Sequence, residues 1–273
     1  MKTNQETYVY LAKVIYKNFL SKIKKSQIKY GKYYVLDNLS PYIVSIYGSV
    51  ASGKSTIACI LKTYLANHAK NITIEIVQTD VFLYCNQVLN KMGLMQKKGF
   101  PESYDIRKLS NFLINFKKYK TSCFLLPQYS HIEYDILPTK KLMFKTHILI
   151  LEGLNFLYNK KEKNFLFIND IDLLDLIDFN IYIDAKENYI KDWYINRFLS
   201  FRKKSTLYPC SYFARYLNIS EEKVIEKANS IWNYTNRNNL IKNILPLRKY
   251  ANLIVKKNYN HTTSVIIQNK CNF

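Results

Sequence analysis

A strand-like apolar run, Tyr42 to Tyr47, breaks into Gly-Ser-Val-Ala-Ser-Gly-Lys-Ser (Gly48 to Ser55) and resumes as the helix-like run Ser55 to Leu61. No other feature of the chain restricts its fold so tightly. The break fits G-x-x-x-x-G-K-[ST], whose glycines let the backbone curl until successive N–H groups cradle phosphate oxygens. In that pattern Lys54 reaches the β- and γ-phosphates and the Ser55 hydroxyl ligates Mg²⁺. The following helix points its positive N-terminus at the anion. Gly48, Ser49, Val50, Ala51, Ser52, Gly53, Lys54, Ser55 and Thr56 are therefore the expected nucleotide-binding residues, with a nucleoside triphosphate and Mg²⁺ as ligands.

Hydrophobic periodicity extends this unit into a longer alternation. Tyr8, Leu11, Val14, Ile15, Phe19 and Leu20 recur at helical spacing and predict a helix over residues 7–25. Strands are expected at Ile72–Val77, His147–Leu151, Asp178–Ala185 and within "ANLIVKK" and "HTTSVIIQ". Helices are expected from Asp105 to Lys118, from Lys186 to about Lys203, and from Ser220 to Asn238, with helical pieces at Asn86–Met92. Alternating strands and helices predict an α/β fold of the P-loop kinase type, a mainly parallel sheet covered by helices on both faces. No repeat and no Pro/Gly/Ser-rich linker divides residues 1–273, so one domain is the expectation.

Parallel sheets bind ligands at the carboxyl ends of their strands. Two acids fall there: Glu152 after "ILIL", suited to Mg²⁺ and the phosphates, and Asp80 after "IEIVQT", suited to take a proton from a substrate hydroxyl. Each alone is an ordinary turn residue. Beside a phosphate-binding loop the two together point to phosphoryl transfer.

The 41 Lys and Arg against 20 Asp and Glu give a net charge of +21, which raises a nucleic-acid surface as a competing reading. The lysines are scattered as KIKK, KK, KYK and KNK within a composition skewed to Lys, Asn, Ile and Tyr. Such usage points to an AT-rich coding sequence and away from nucleic acid. Cys59, Cys85, Cys123, Cys210 and Cys271 contain no C-x-x-C pair, and the histidines show no metal-ligand spacing. The cysteines predict a reducing compartment, and neither set of residues predicts a disulfide framework or a zinc site. Lys13 and Lys17 interrupt the apolar N-terminal segment, and no run reaches membrane-spanning length. Neither signal peptide nor membrane contact is expected.

Beyond the loop, the blocks "GSVASGKST", "TDVFLYCNQVLNKMGLMQKKGFPESYD", "YSHIEYD", "ILILEGLN", "WYINRFLSFR", "SYFARY" and "NILP" resemble the bacterial type I pantothenate kinases from about Tyr8 to His261. The resemblance implies transfer of the ATP γ-phosphate to the primary hydroxyl of pantothenate, the first step toward coenzyme A, by a cytoplasmic homodimer inhibited by coenzyme A. It assigns Asp80 as the base on the substrate hydroxyl. Lys54 and Arg197 become the cations flanking the transferred group, and Ser55 and Glu152 the magnesium and phosphate side. Tyr129, His131, Tyr194 and Asn236 fall in the pantothenate pocket, and His261 near the adenine. Arg197 and Tyr194 share a helix face three residues apart.

Four positions depart from the family pattern. Val81 stands where Gly is expected, Cys85 for Pro, Glu133 for an apolar residue, and Cys59 for an Arg on the loop's helix. Val81 would be strained if that position required positive φ. Cys59 lies one turn beyond Ser55, and the Arg it replaces helps receive coenzyme A phosphates, so weakened feedback inhibition is expected. A uridine-kinase-like or phosphoribulokinase-like enzyme shares the loop and the strand-end acid. "KKGFPESYD" and "WYINRF" separate the two readings.

Overall fold

The computed structural model describes residues 4–30, 40–69, 71–118, 123–153 and 173–267. Helix α1 (Asn4–Tyr30) precedes strand β1 (Tyr42–Gly48), helix α2 (Lys54–His68) and strand β2 (Ile74–Gln78). Then come α3 (Asn86–Lys91), α4 (Ile106–Lys117), β3 (Cys123–Ser130), β4 (Asp135–Phe144) and β5 (Ile148–Gly153). The chain continues through β6 (Phe179–Ala185), α5 (Glu187–Lys204), α6 (Glu221–Ile231), β7 (Leu253–Lys257) and β8 (Thr263–Ile267).

Every residue of β1 is buried, as a central strand packed on both faces requires. The main sheet runs β2-β5-β1-β6-β7-β8, parallel throughout except for the β7–β8 pair. Strand alternation sorts side chains onto two faces. Tyr42, Val44 and Ile46 pack with Leu11, Ile15 and Phe19 of α1 and with Ile57, Leu61 and Leu65 of α2. Ile43 and Tyr47 point oppositely, toward Leu109, Phe112 and Phe116 of α4 and Ile190 and Trp193 of α5. The polar Ser45 is tolerated at zero exposure because its hydroxyl donates to Asn180 Oδ1 at 2.6 Å. A smaller cluster of Phe198, Phe213, Tyr216, Val224 and Ala228 joins α5 to α6.

At the amino end of the strands, Asp178 ties both layers together. It accepts from Lys22 of α1 at 2.7 Å, from Lys117 of α4, and from the Ile43 amide at 2.7 Å. This anchor lies at the opposite end of the sheet from the phosphate loop.

The expected strands and helices are present with shifted ends, α1 being longer at both. Two differences matter. The predicted helix from Ser220 to Asn238 is α helix only to Ile231. It then passes through π-helical turns at Trp232–Asn236 and Leu240–Ile244, separated by the step Arg237–Asn239. Such bulges recur at functional sites because they re-aim side chains. The β3–β4 hairpin is a second, two-stranded antiparallel sheet that was not expected, with a register break at Pro127–Gln128. Leu154 and Asn155 of "ILILEGLN", Gln268 of the last predicted strand, and Cys271 lie outside the described residues.

Candidate active site

The loop between β1 and α2 owes its shape to two glycines. Gly48 has φ of 151°, and a Cβ there would stand 2.6 Å from the Ile183 carbonyl oxygen. Gly53 has φ of 87°, a left-handed conformation costly for a β-carbon. Ala51 takes φ of 58°, so the loop holds some backbone strain of its own. The Lys54 ammonium is buried and donates to the Ser49 carbonyl at 2.8 Å, folding back across the loop. Burial lowers its pKa, with Glu152 opposing and Arg197 assisting.

Register places the two strand-end acids. β5 pairs with both β1 and β2, setting Glu152 opposite Ile46 on one side and Gln78 on the other. Asp80 follows β2 directly, inside the short 3-10 turn Thr79–Phe82. The Ser55 hydroxyl donates to Glu152 Oε2 at 3.1 Å. Burial raises the Glu152 pKa, and Lys54 works against it. Both donors are hard oxygens. Among the described residues no cluster of three or more His, Cys, Asp or Glu could hold a metal. Mg²⁺ suits such a sparse site, since it takes one or two protein oxygens and completes its shell with water and nucleotide phosphates. Ser55 and Glu152 fit that demand.

A single cavity of about 1130 Å³ joins the loop to the aromatic α5–α6 side of the molecule. Its wall includes Ser49, Val50, Ala51, Gly53, Lys54, Ser55, Thr56, Asp80 and Glu152, together with Tyr129, His131, Tyr194, Arg197, Asn236 and His261. Gly48 and Ser52 stand behind that wall and shape the loop. Tyr129 and His131 meet edge to face at 5.2 Å, and His131 faces Phe201 at 6.3 Å. The Arg197 guanidinium lies 5.2 Å from the Phe201 ring centre. His131 is held below its ordinary pKa by burial, with Asp80 opposing and Arg197 and Lys54 assisting, and so favours the neutral imidazole. The first π-helical turn carries Asn236, whose side chain hydrogen-bonds Tyr194. At the far end the exposed His261 ring stacks on Trp193 at 4.6 Å, with its backbone left-handed at φ 64°.

Among the positions that depart from the family pattern, Val81 is absent from the positive-φ residues and packs against the core, so its β-branch carries no strain there. Cys59 is exposed on α2 and is not among the cavity-lining residues.

Three contributors escaped the sequence reading. Lys257, at the end of β7, donates to the Ser52 carbonyl at 2.9 Å and lies 5.1 Å from the Trp193 ring centre, strapping the loop to the sheet. Lys98 lines the cavity while buried, donating to Asn86 Oδ1 at 2.6 Å and to the Tyr134 carbonyl. Burial pushes its pKa down to about 8, with Asp135 and Asp80 opposing. Tyr104 donates to Asp80 Oδ1 at 3.0 Å. Lys257 did carry a signal, a strand-end position four residues before His261, but one hidden among 41 cationic residues.

Sheet order, loop and strand-end acids together define a P-loop kinase. The family described as Phosphoribulokinase / Uridine kinase matches residues 43–207. Curated proteins named pantothenate kinase align over most of the chain. The Histophilus somni (strain 2336) protein is 45% identical over 83% of this chain and 70% of its own. That of Haemophilus influenzae is 46% identical over 83% and 72%. Vibrio vulnificus gives 42% over 86% and 76%. Solved structures share the fold at far lower identity: a D-glycerate 3-kinase from Cryptococcus neoformans (12%, TM-score 0.57, 94% of this chain and 99% of that one) and a phosphoribulokinase from Rhodobacter spheroides (14%, TM-score 0.50, 85% and 81%). The chain belongs to the Phosphoribulokinase / Uridine kinase family and, inside it, to the bacterial pantothenate kinases.

Proposed function

We propose that this protein is a pantothenate kinase, transferring the γ-phosphate of ATP to the primary hydroxyl of pantothenate to give 4'-phosphopantothenate, the first step of coenzyme A biosynthesis. The observation that carries the reading is the single cavity that brings a phosphate cradle, Asp80 and a ring of polar aromatics within reach of one another. Its volume accommodates a nucleotide beside a second small molecule.

Phosphoryl transfer has a loose transition state, so positioning and charge neutralisation outweigh covalent help. In this reading the loop amides and Lys54 hold the phosphates, exchanging the Ser49 carbonyl for phosphate oxygens. Arg197 aims a fixed fork of donors at the moving group. Asp80 accepts the proton of the attacking hydroxyl. Tyr129, neutral His131, Tyr194 and Asn236 orient pantothenate, and His261 with Trp193 borders the adenine. Mg²⁺ held through Ser55 and Glu152 would neutralise charge on the phosphates. A panel with labelled ATP separates this enzyme from its nearest alternative: label should pass to pantothenate, and transfer to uridine or ribulose 5-phosphate instead would reject the assignment.

The same reading extends to a cytoplasmic homodimer that does not bind nucleic acid, and to weak feedback by coenzyme A. A neutral thiol at Cys59 offers no charged donor. One charge-assisted hydrogen bond is worth about 1.5–3 kcal/mol, or roughly ten- to a hundredfold in affinity. Cys59→Arg should therefore tighten inhibition by that order when coenzyme A is titrated at fixed ATP. Unchanged inhibition would make Cys59 a bystander.

A further inference from the structure

The carboxylate of Asp80 is not left to find its own orientation. Its Oδ1 accepts the 3.0 Å hydrogen bond from Tyr104, a residue only 4% exposed that stands behind the cavity wall. The backbone around Tyr104 is itself fixed. It bridges Leu83 in antiparallel fashion, the Asp105 amide donates to the Phe82 carbonyl at 2.8 Å, and the Tyr84 amide to the Ser103 carbonyl at 3.0 Å. Phe82 and Leu83 follow Asp80 within three residues, so the donor and the acceptor are built on one rigid unit. Upstream, Asn239 donates to the Gly99 carbonyl at 2.8 Å and ties the same segment to the helix that carries Asn236. Burial first, and the charge of Asp80 second, push the phenol well above its ordinary pKa. It therefore keeps its proton and acts toward the carboxylate only as a donor.

We propose that Tyr104 is a positioning residue for the transfer, holding one carboxylate oxygen of Asp80 so that the other faces the acceptor hydroxyl. This deepens the reading of Asp80 as proton acceptor and rests on it. The work of the hydroxyl there is geometric. It fixes the plane of the carboxylate, which matters because a catalytic group slightly misplaced loses much of its effect.

Tyr104→Phe retains the ring that fills the core and removes the donor alone. The variant, Asp80→Asn and the double variant are compared for kcat per active site and for KM of pantothenate, with ATP affinity measured directly. Tyr104→Phe should lower kcat about ten- to a hundredfold while leaving ATP affinity and the KM for pantothenate unchanged. The double variant should be no slower than Asp80→Asn, because both changes act through one carboxylate. A native kcat in Tyr104→Phe, a loss carried by KM instead, or losses that multiply in full would overturn the proposal. Bound ATP counts the folded active sites, so poor yield of the variant cannot mask the result. An inactive Asp80→Asn beside a wild-type-like Tyr104→Phe sinks the positioning role alone. An Asp80→Asn of near-native rate brings down the base assignment and the positioning role together.

Discussion

Lys54 and Arg197 both carry positive charge into the cavity, yet their surroundings predict different work. Lys54 is buried inside the loop, fixed by the Ser49 carbonyl and balanced by Glu152, so its ammonium belongs to the phosphate cradle before any reaction starts. Arg197 is half-buried on α5 and rests against the Phe201 ring, lining the same cavity from a helix outside the loop. Lys54→Ala should weaken nucleotide affinity and turnover together, whereas Arg197→Ala should act mainly on turnover by about 10²–10³-fold, as loss of a donor aimed at transition-state charge does. Equal losses for Arg197→Ala in ATP affinity and in turnover would contradict the division. These two residues were legible in the sequence because one sits in a fixed motif and the other in a family block. Tyr104 and Lys98 also fall in a family block, "KKGFPESYD", yet their roles were not legible. Each acts through a side chain distant in sequence, Asp80 for the first and Asn86 for the second, and no local pattern marks such pairings.

At the scale of elements, strands and helices with one clean period were readable, and those serving two surfaces were not. β1, β5 and β6 are continuous apolar runs with buried neighbours on both faces, and their pattern declares it. The β3–β4 hairpin packs Phe124, Leu126 and Met143 inward while Leu125, Leu142 and Phe144 stay exposed, so apolar residues on both faces leave no apolar–polar contrast to read. Pro127 in its register break removed the remaining cue. The π-helical turns are invisible to a 3.6-residue period, although they carry Asn236. Packing between elements also explains a glycine. A Cβ at Gly153 would fall 1.7 Å from Thr79 Oγ1, so β5 and the turn bearing Asp80 meet with no room for a methyl group. Gly153→Ala should destabilise the fold by about 1–3 kcal/mol through overpacking, and displace Asp80 as the turn shifts. Chemical denaturation and pantothenate turnover would both register the change, and an unaltered midpoint with native turnover would show that the contact yields freely.

The whole molecule, with a net charge of +21 and many buried tyrosines, should show a stability maximum well above neutrality. His131 is lowered from 6.5, so the unfolded chain binds that proton more readily and stability rises as pH climbs toward 6.5. Lys98 and Lys117 are each lowered by burial to about 8 from 10.5, so stability rises again between those values as the unfolded lysines still hold protons. Tyr194 and Tyr216 are raised by burial to about 12 from 10.0, so above about pH 10 the unfolded phenols ionise first and stability falls. Denaturation midpoints should therefore peak between about pH 9 and 10, and a monotonic fall from pH 7 would contradict those buried states. No described helix is long and apolar enough to cross a membrane. The central claim is that one cavity passes the γ-phosphate from the Lys54 cradle to a hydroxyl held by Asp80. It is tested most directly by mass-spectrometric detection of 4'-phosphopantothenate formed from ATP, pantothenate and Mg²⁺, with Asp80→Asn in parallel. The account predicts product from the native enzyme and a rate about 10²–10⁴-fold lower from the variant, the loss typical of a missing general base. No phosphorylated pantothenate from the native enzyme, or equal rates from the two, would contradict it.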